Sequence, residues 1–337
     1  MEKRKLGRSG IEVSPIGMGC WAIGGPWDAI GEEGPYAAGW GKVDDRESIR
    51  AIHAGLDAGI TVFDTAANYG CGHSERILGA ALGTRRKDVV VATKFGHIID
   101  EHTKIMRGDN EAIAKNLRHD CENSLRRLQT DYIDLYQLHS GSLGIEPALE
   151  VREILEALAK EGKIRTYGWS TDDPERAAAF ADGEHCVAIQ FQLNALRYNP
   201  GMRAVCDERD LAGLCRQPLR GGMLTGKITA ETTFPEDDMR HVVDFSQEGW
   251  RKMLDRVHAV QDVLASGGRT VAQGALAWIW ARGERMIPIP GFRTVDQIKQ
   301  NAAAMEHGPL TQEQMKEVID IVEKIRKEQG LESLLQA

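Results

Sequence analysis

Eight short apolar runs of strand length recur along this chain, and six of them carry a polar residue at or near their carboxyl end. The runs are IGMGCW (16–21), TVFDTA (61–66), DVVVATK (88–94) and YIDLYQLH (132–139), then IRTYGWST (164–171), VAIQFQLN (187–194), LAGLCRQPL (211–219) and MIPIPGF (286–292). Between several of them lie segments of helical period. Strands alternating with helices argue an α/β fold, and eight of them argue a closed parallel (β/α)8 TIM barrel. An open doubly wound sheet would want a GxGxxG phosphate turn after its first strand, and GMGCWAIGG lacks it. The barrel takes about 250 residues, so the rest of the chain belongs to loops and added helices. No linker-like change in composition divides it, which predicts a single domain over 1–337.

The helical segments carry their own signals. DDRESIRAIHAGLDAGI places Ile49, Ile52 and Leu56 on one face and stops at Gly59. ALEVREILEALAKEGK does the same with Leu149, Ile154, Leu155 and Leu158 before Gly162. TVAQGALAWIWARG precedes the last strand, and TQEQMKEVIDIVEKIRKEQG predicts an extra C-terminal helix. RKLGRSGIEVSPIG, with its turn at Ser9-Gly10, predicts an N-terminal hairpin. Net charge is −8, which argues against a general nucleic-acid binder. The six cysteines show no CxxC spacing, so reduced thiols are expected and no metal site. No apolar run has the length of a membrane span. No h-region follows the basic start MEKRKLGRSG, so the expected location is cytoplasmic.

Barrel enzymes gather their chemistry at the carboxyl ends of the strands. Those ends here carry Asp64 with Tyr69 nearby, Lys94, His139, Ser170-Thr171, Gln190 with Asn194, and Arg216-Gln217. A buried lysine needs a counter-charge, and Asp64 supplies one. A cation beside a tyrosine favours its phenolate, so Lys94 is expected to bring Tyr69 into the range of acid–base work. A neutral His139 would donate a hydrogen bond to a carbonyl oxygen. No serine or cysteine nucleophile stands with a base, and HExxH is absent. HIIDEH (97–102) reads as a solvated loop rather than a metal site.

FDTAANYGCGHSERILG, VVVATKFG, DLYQLHS, PLRGGMLTGK and IPIPGFRTVDQIKQN together resemble the aldo-keto reductases, in that family's order, over about Leu6 to Asn301. The resemblance implies that Asp64, Tyr69, Lys94 and His139 are a catalytic tetrad, with Tyr69 the acid. It implies NADPH or NADP+ as cofactor, with NADH less favoured, and a small carbonyl substrate. Gly19, Cys20 and Trp21 would line the nicotinamide ribose beside Asp64, and Ser170, Thr171 and Gln190 would meet the carboxamide. Arg216, Gln217, Pro218, Leu219, Arg220 and Gly221, with Lys227, would wrap the pyrophosphate. Gly291, Arg293, Gln297, Gln300 and Asn301 would hold the adenosine half. Arg293, just before a helix, suits a 2′-phosphate.

Two positions depart from the family's pattern. Thr171 stands where Asn is common, and Arg216-Gln217 where an aromatic usually stacks on the nicotinamide. The long segment 24–45 is expected to bring Trp27, Tyr36 and Trp40 toward Trp21 as walls of a substrate pocket. An alternative from another class is a cofactor-binding regulatory subunit. The chain resembles potassium-channel β-subunits in LGRSGIEVS and PLRGGMLTGK, but those typically have Asn where His139 stands. An oligomer is compatible with either reading.

Overall fold

Strands that are apolar on both faces must be covered on both faces, and every residue of 90–95, 133–138 and 186–192 is buried. A computed structural model, which describes residues 1–331, shows how. Eight parallel strands follow one another in chain order: β1 (Gly17–Gly19), β2 (Val62–Asp64), β3 (Val90–Phe95), β4 (Ile133–Leu138), β5 (Ile164–Ser170), β6 (Cys186–Gln192), β7 (Ala212–Arg216) and β8 (Met286–Pro288). Beyond β8 the chain returns to β1. The Gly19 amide donates to the Pro290 carbonyl at 2.9 Å, and Gly19 bridges to Gly291. A Cβ on Gly19 would lie 2.8 Å from the Ile289 carbonyl oxygen, so closing the barrel here demands a glycine. The predicted (β/α)8 barrel is the observed fold.

Helices α1 (Asp45–Asp57), α2 (His73–Leu82), α3 (Ile113–Leu128), α4 (Ile145–Lys160), α5 (Pro174–Phe180) and α6 (Pro200–Glu208) follow β1 to β6 in turn. Two helices follow β7, α7 (Glu248–Ala265) and α8 (Val271–Trp280), and two follow β8, α9 (Val295–His307) and α10 (Gln312–Glu328). α8 is buried from Gln273 to Trp280, as its apolar sequence requires, with α7 packed on it and α10 packed on α7. Thus α7 and α10 are the additions to the ring. Only α10 was expected from its sequence, although Leu254, Val257, Val260 and Leu264 mark the buried stripe of α7. Thr270 and Thr311 close capping boxes with Gln273 and Gln314.

The N-terminal hairpin pairs Arg4–Lys5 with Glu12–Val13. It pushes Leu6 and Val13 against Val62, Val90, Val187 and Ile287, plugging the amino end of the barrel. The opposite end is left for chemistry. There, two segments expected as loops form a separate four-stranded sheet in the order 34–37, 28–31, 105–108, 97–100. Its central pairing joins Asp28 to Ile105 and Ala29 to Met106. All six cysteines are buried and unpaired. Among the described residues no helix is long and apolar enough to cross a membrane. Of the expected domain 1–337, residues 332–337 lie outside the described residues.

Candidate active site

Asp64 is the last residue of β2 and Lys94 the fifth of β3, so both reach into the barrel mouth. Lys94 Nζ donates to Asp64 Oδ1 at 2.6 Å, to the Thr65 carbonyl at 2.8 Å and to Tyr69 Oη at 3.0 Å. An ammonium has three donors and no acceptor, so every donor is used. The tyrosine oxygen accepts from Lys94, and its own proton is left free. Asp64 Oδ2 takes two further hydrogen bonds, from Gln137 Nε2 at 3.1 Å and Gln190 Nε2 at 2.7 Å. These amides satisfy the carboxylate that burial would otherwise penalise. The Tyr69 ring stacks on Trp21 with centroids 5.4 Å apart and meets the edge of His139 at 6.2 Å.

Burial opposes the charge on Lys94, but Asp64 and Tyr69 outweigh it and hold its pKa above the usual lysine range. Tyr69 is shifted upward, because burial outweighs the pull of Lys94. This corrects the expectation that the lysine brings the phenol toward neutrality; in the protein alone the phenol stays protonated. Burial, His97 and Lys94 push His139 well below the normal histidine range, so it is neutral. Its Nδ1 is buried with no hydrogen-bond partner.

From Tyr69 and His139 a cleft of about 1590 Å³ runs across the barrel mouth. Gly19, Trp21, Asp64, Ser170, Thr171 and Gln190 line it. So do Arg216, Gln217, Pro218, Leu219, Arg220 and Gly221, with Lys227. Gly291, which bridges to Gly19, lines it together with Arg293, Gln297, Gln300 and Asn301. Within 216–222, Gln217, Arg220, Gly221 and Gly222 have positive φ, a tight backbone held by Asn194 Nδ2 donating to the Gln217 carbonyl at 3.0 Å. The cations Arg216, Arg220, Lys227 and Arg293 give this wall a positive character within an acidic chain. Next to Gly291, Thr294 caps α9, Arg293 donates to the Lys42 carbonyl, and the Val295 amide donates to Glu47 at 2.9 Å.

Three expected positions fall elsewhere. Cys20 is wholly buried in the core, because the period of two puts it on the same face as Met18, packed with Ile52 of α1 and Leu78 of α2 rather than toward the cleft. Trp27 and Tyr36 do not line the cleft. Pairing of segment 24–45 with 105–108 turns Trp27 into a small cluster with Ala29, Ala38 and Cys71, and leaves Tyr36 largely exposed. Trp21 and Trp40 do line it. Trp21 is fixed by its Nε1 donating to the Ala38 carbonyl at 3.0 Å. His97 and His102 of HIIDEH are not brought together: His97 lines the cleft and His102 is exposed.

Sequence reasoning missed several residues. Gln137 lies two before His139, hence on the same face of β4, and that period could have found it. Asp172 pairs with Arg216 and accepts from the Gln192 amide at 2.7 Å. Arg240, tied to Asp238 at 2.6 Å, lies between the rings of Trp40 and Phe234, 3.9 and 3.8 Å from their centroids. No local signal announces that stack, because its members come from distant connections.

Comparison with known proteins agrees with this picture. The model of the Aldo/keto reductase family matches residues 15–323. The chain is 33% identical over 330 residues to the aldo-keto reductase YhdN of Bacillus subtilis, covering 96% of this chain and 94% of the relative. It is 32% identical over 325 residues to an NADH-specific methylglyoxal reductase of Escherichia coli, covering 90% and 94%. A solved aldo/keto reductase of Klebsiella pneumoniae, in complex with NADP and acetate, superposes with a TM-score of 0.67 at 27% identity, covering 96% of each chain.

Proposed function

The chain belongs to the aldo/keto reductase family, and on that premise we propose that it is an NADP(H)-dependent reductase of aldehydes or ketones in which Tyr69 is the general acid. Its single domain spans 1–337. The observation that carries this reading is the chain Asp64–Lys94–Tyr69 at the base of the cleft, with a phenol that is protonated and whose proton is not engaged by Lys94. The wall of the cleft suits an extended dinucleotide. The cations Arg216, Arg220, Lys227 and Arg293 line it, as do the amides of Gln190 and Asn301 and the tight backbone of 217–222. Ser170, Thr171 and Gln190 would hold the nicotinamide end, 216–221 and Lys227 the pyrophosphate, and 291–301 the adenosine. When bound, the nicotinamide supplies the hydride.

The protein's own groups do the rest. Tyr69 delivers its proton to the carbonyl oxygen as negative charge develops there. Lys94, charged and fixed, stabilises the phenolate that this leaves. Asp64 keeps Lys94 charged. Neutral His139 offers an N–H toward the same oxygen and orients it. Trp21, stacked on Tyr69, keeps water from one side of the phenol. The test is cofactor oxidation by the purified protein with a panel of aldehydes and ketones, with NADPH and with NADH. Binding of NADPH without turnover of any carbonyl would overturn the reductase reading and favour a regulatory role.

A further inference from the structure

We infer that the cleft contains a subsite for a second substrate oxygen, formed by His97, and that the preferred substrates carry a hydroxyl or a second carbonyl on the carbon next to the reacting one. This rests on the reading of Tyr69 and His139 above.

The strand that carries Lys94 ends at Phe95, turns at Gly96 with φ +117, and presents His97 next. The same turn is locked to the other catalytic strand, because the His139 amide donates to the Phe95 carbonyl at 2.8 Å. The two imidazoles therefore stand side by side, with centroids 4.9 Å apart and planes at 79°. Both line the cleft. Among the described residues nothing hydrogen-bonds to the ring nitrogens of His97. A substrate whose carbonyl oxygen meets His139 has His97 as the adjoining imidazole of the cleft wall.

The chemistry of the second group follows from the charges. Burial lowers the pKa of His97 to about 4, so at neutral pH it offers one donor and one acceptor and no charge. It can pair with a hydroxyl or a carbonyl. Lys94 has all three donors engaged and Arg216 is already paired with Asp172, so neither is free for a carboxylate. An unsubstituted ketone would leave the part-buried imidazole unpaired, which penalises it relative to an oxygenated one.

The test uses butanone, acetoin and diacetyl, which share one carbon skeleton. Wild-type protein is expected to favour the two oxygenated compounds over butanone by about tenfold in kcat/KM. His97→Phe, which keeps a ring and removes both hydrogen-bonding functions, should bring that ratio close to one. His97→Asn, which retains a donor and an acceptor, should keep part of it. Calorimetry of butanediol and butanol binding to the NADP+-loaded protein should show the same order without turnover. Turnover of all three ketones at a ratio that is the same in wild type and His97→Phe overturns this inference alone. Absence of turnover with every carbonyl overturns the underlying reading and the subsite with it.

Discussion

Two ion pairs face the same cleft. Asp64–Lys94 has side chains 3% and 0% exposed, whereas Asp172–Arg216 has 31% on each. The inner pair is over-determined: Lys94 spends all its donors and Asp64 binds two amides besides. The outer pair is anchored mainly through Asp172, by the Gln192 amide at 2.7 Å. Depth explains the difference. A charge withdrawn from water must be fully matched, while one at the rim is screened and contributes little to stability. The inner pair therefore fixes the Tyr69 hydroxyl, the proposed proton donor. The outer pair sets the charge that a bound ligand meets, since Arg216 lines the cleft.

Breaking the inner pair gives the largest effects. Lys94→Met leaves Asp64 buried without its cation and should cost about 3–5 kcal/mol of stability, read from denaturant melting. Turnover should fall by about 10²–10⁴-fold. Wild-type levels of either would refute the coupling. Because the pKa of Lys94 is raised, its contribution is complete below the free lysine value of about 10.4 and is lost only as pH rises through the higher folded value. The stability difference between wild type and Lys94→Met should therefore not fade as pH is lowered across the neutral range.

Tyr69→Phe sharpens the contrast, since it removes the proton donor and leaves the pair in place. It should lower carbonyl reduction by about 10²–10⁴-fold with cofactor affinity nearly intact. A variant retaining more than about a tenth of wild-type turnover would remove Tyr69 from the role of acid. The raised phenol also predicts that wild-type reduction is not lost by ionisation of Tyr69 below about pH 10, in a pH–rate profile.

Arg293 differs from Arg216 in having no carboxylate within ion-pair distance among the described residues, although its charge reaches Asp238; its guanidinium donates to the Lys42 carbonyl. It is free to meet a phosphate. Arg293→Ala should weaken NADPH by about ten- to a hundredfold, the value of a charge-assisted hydrogen bond, and leave NADH almost unchanged. Equal losses for both cofactors would mean that Arg293 holds the adenine or the fold. Glu47 of α1, which accepts from the Val295 amide at the amino end of α9, works against a phosphate there.

The outer pair gives the smallest effect. Asp172→Asn leaves Arg216 uncompensated on the cleft wall, at the position where the family resemblance sets a residue against the nicotinamide. Oxidised nicotinamide carries a positive charge and the reduced ring none. The variant should therefore weaken NADP+ by up to about fivefold and NADPH by much less. A fluorescence titration with each form checks this, and an unchanged ratio would show that the pair only shapes the wall.

The repeat of apolar runs and their polar ends was enough to specify the barrel and to single out Asp64, Lys94 and His139, because strand ends sit at the mouth wherever parallel strands close. The period of two would also have placed Gln137 beside them. The other features depended on segments far apart in the chain. The four-stranded sheet exists only because 28–31 meets 105–108, and that pairing removes Trp27 and Tyr36 from the cleft. The Asp172–Arg216 pair, the stack around Arg240 and the closeness of His97 to His139 each join separate connections. The direction of the Tyr69 shift also depended on the fold. The sequence named the cation that lowers it, but the amount of water excluded around the phenol, which raises it more, is a property of the packed structure.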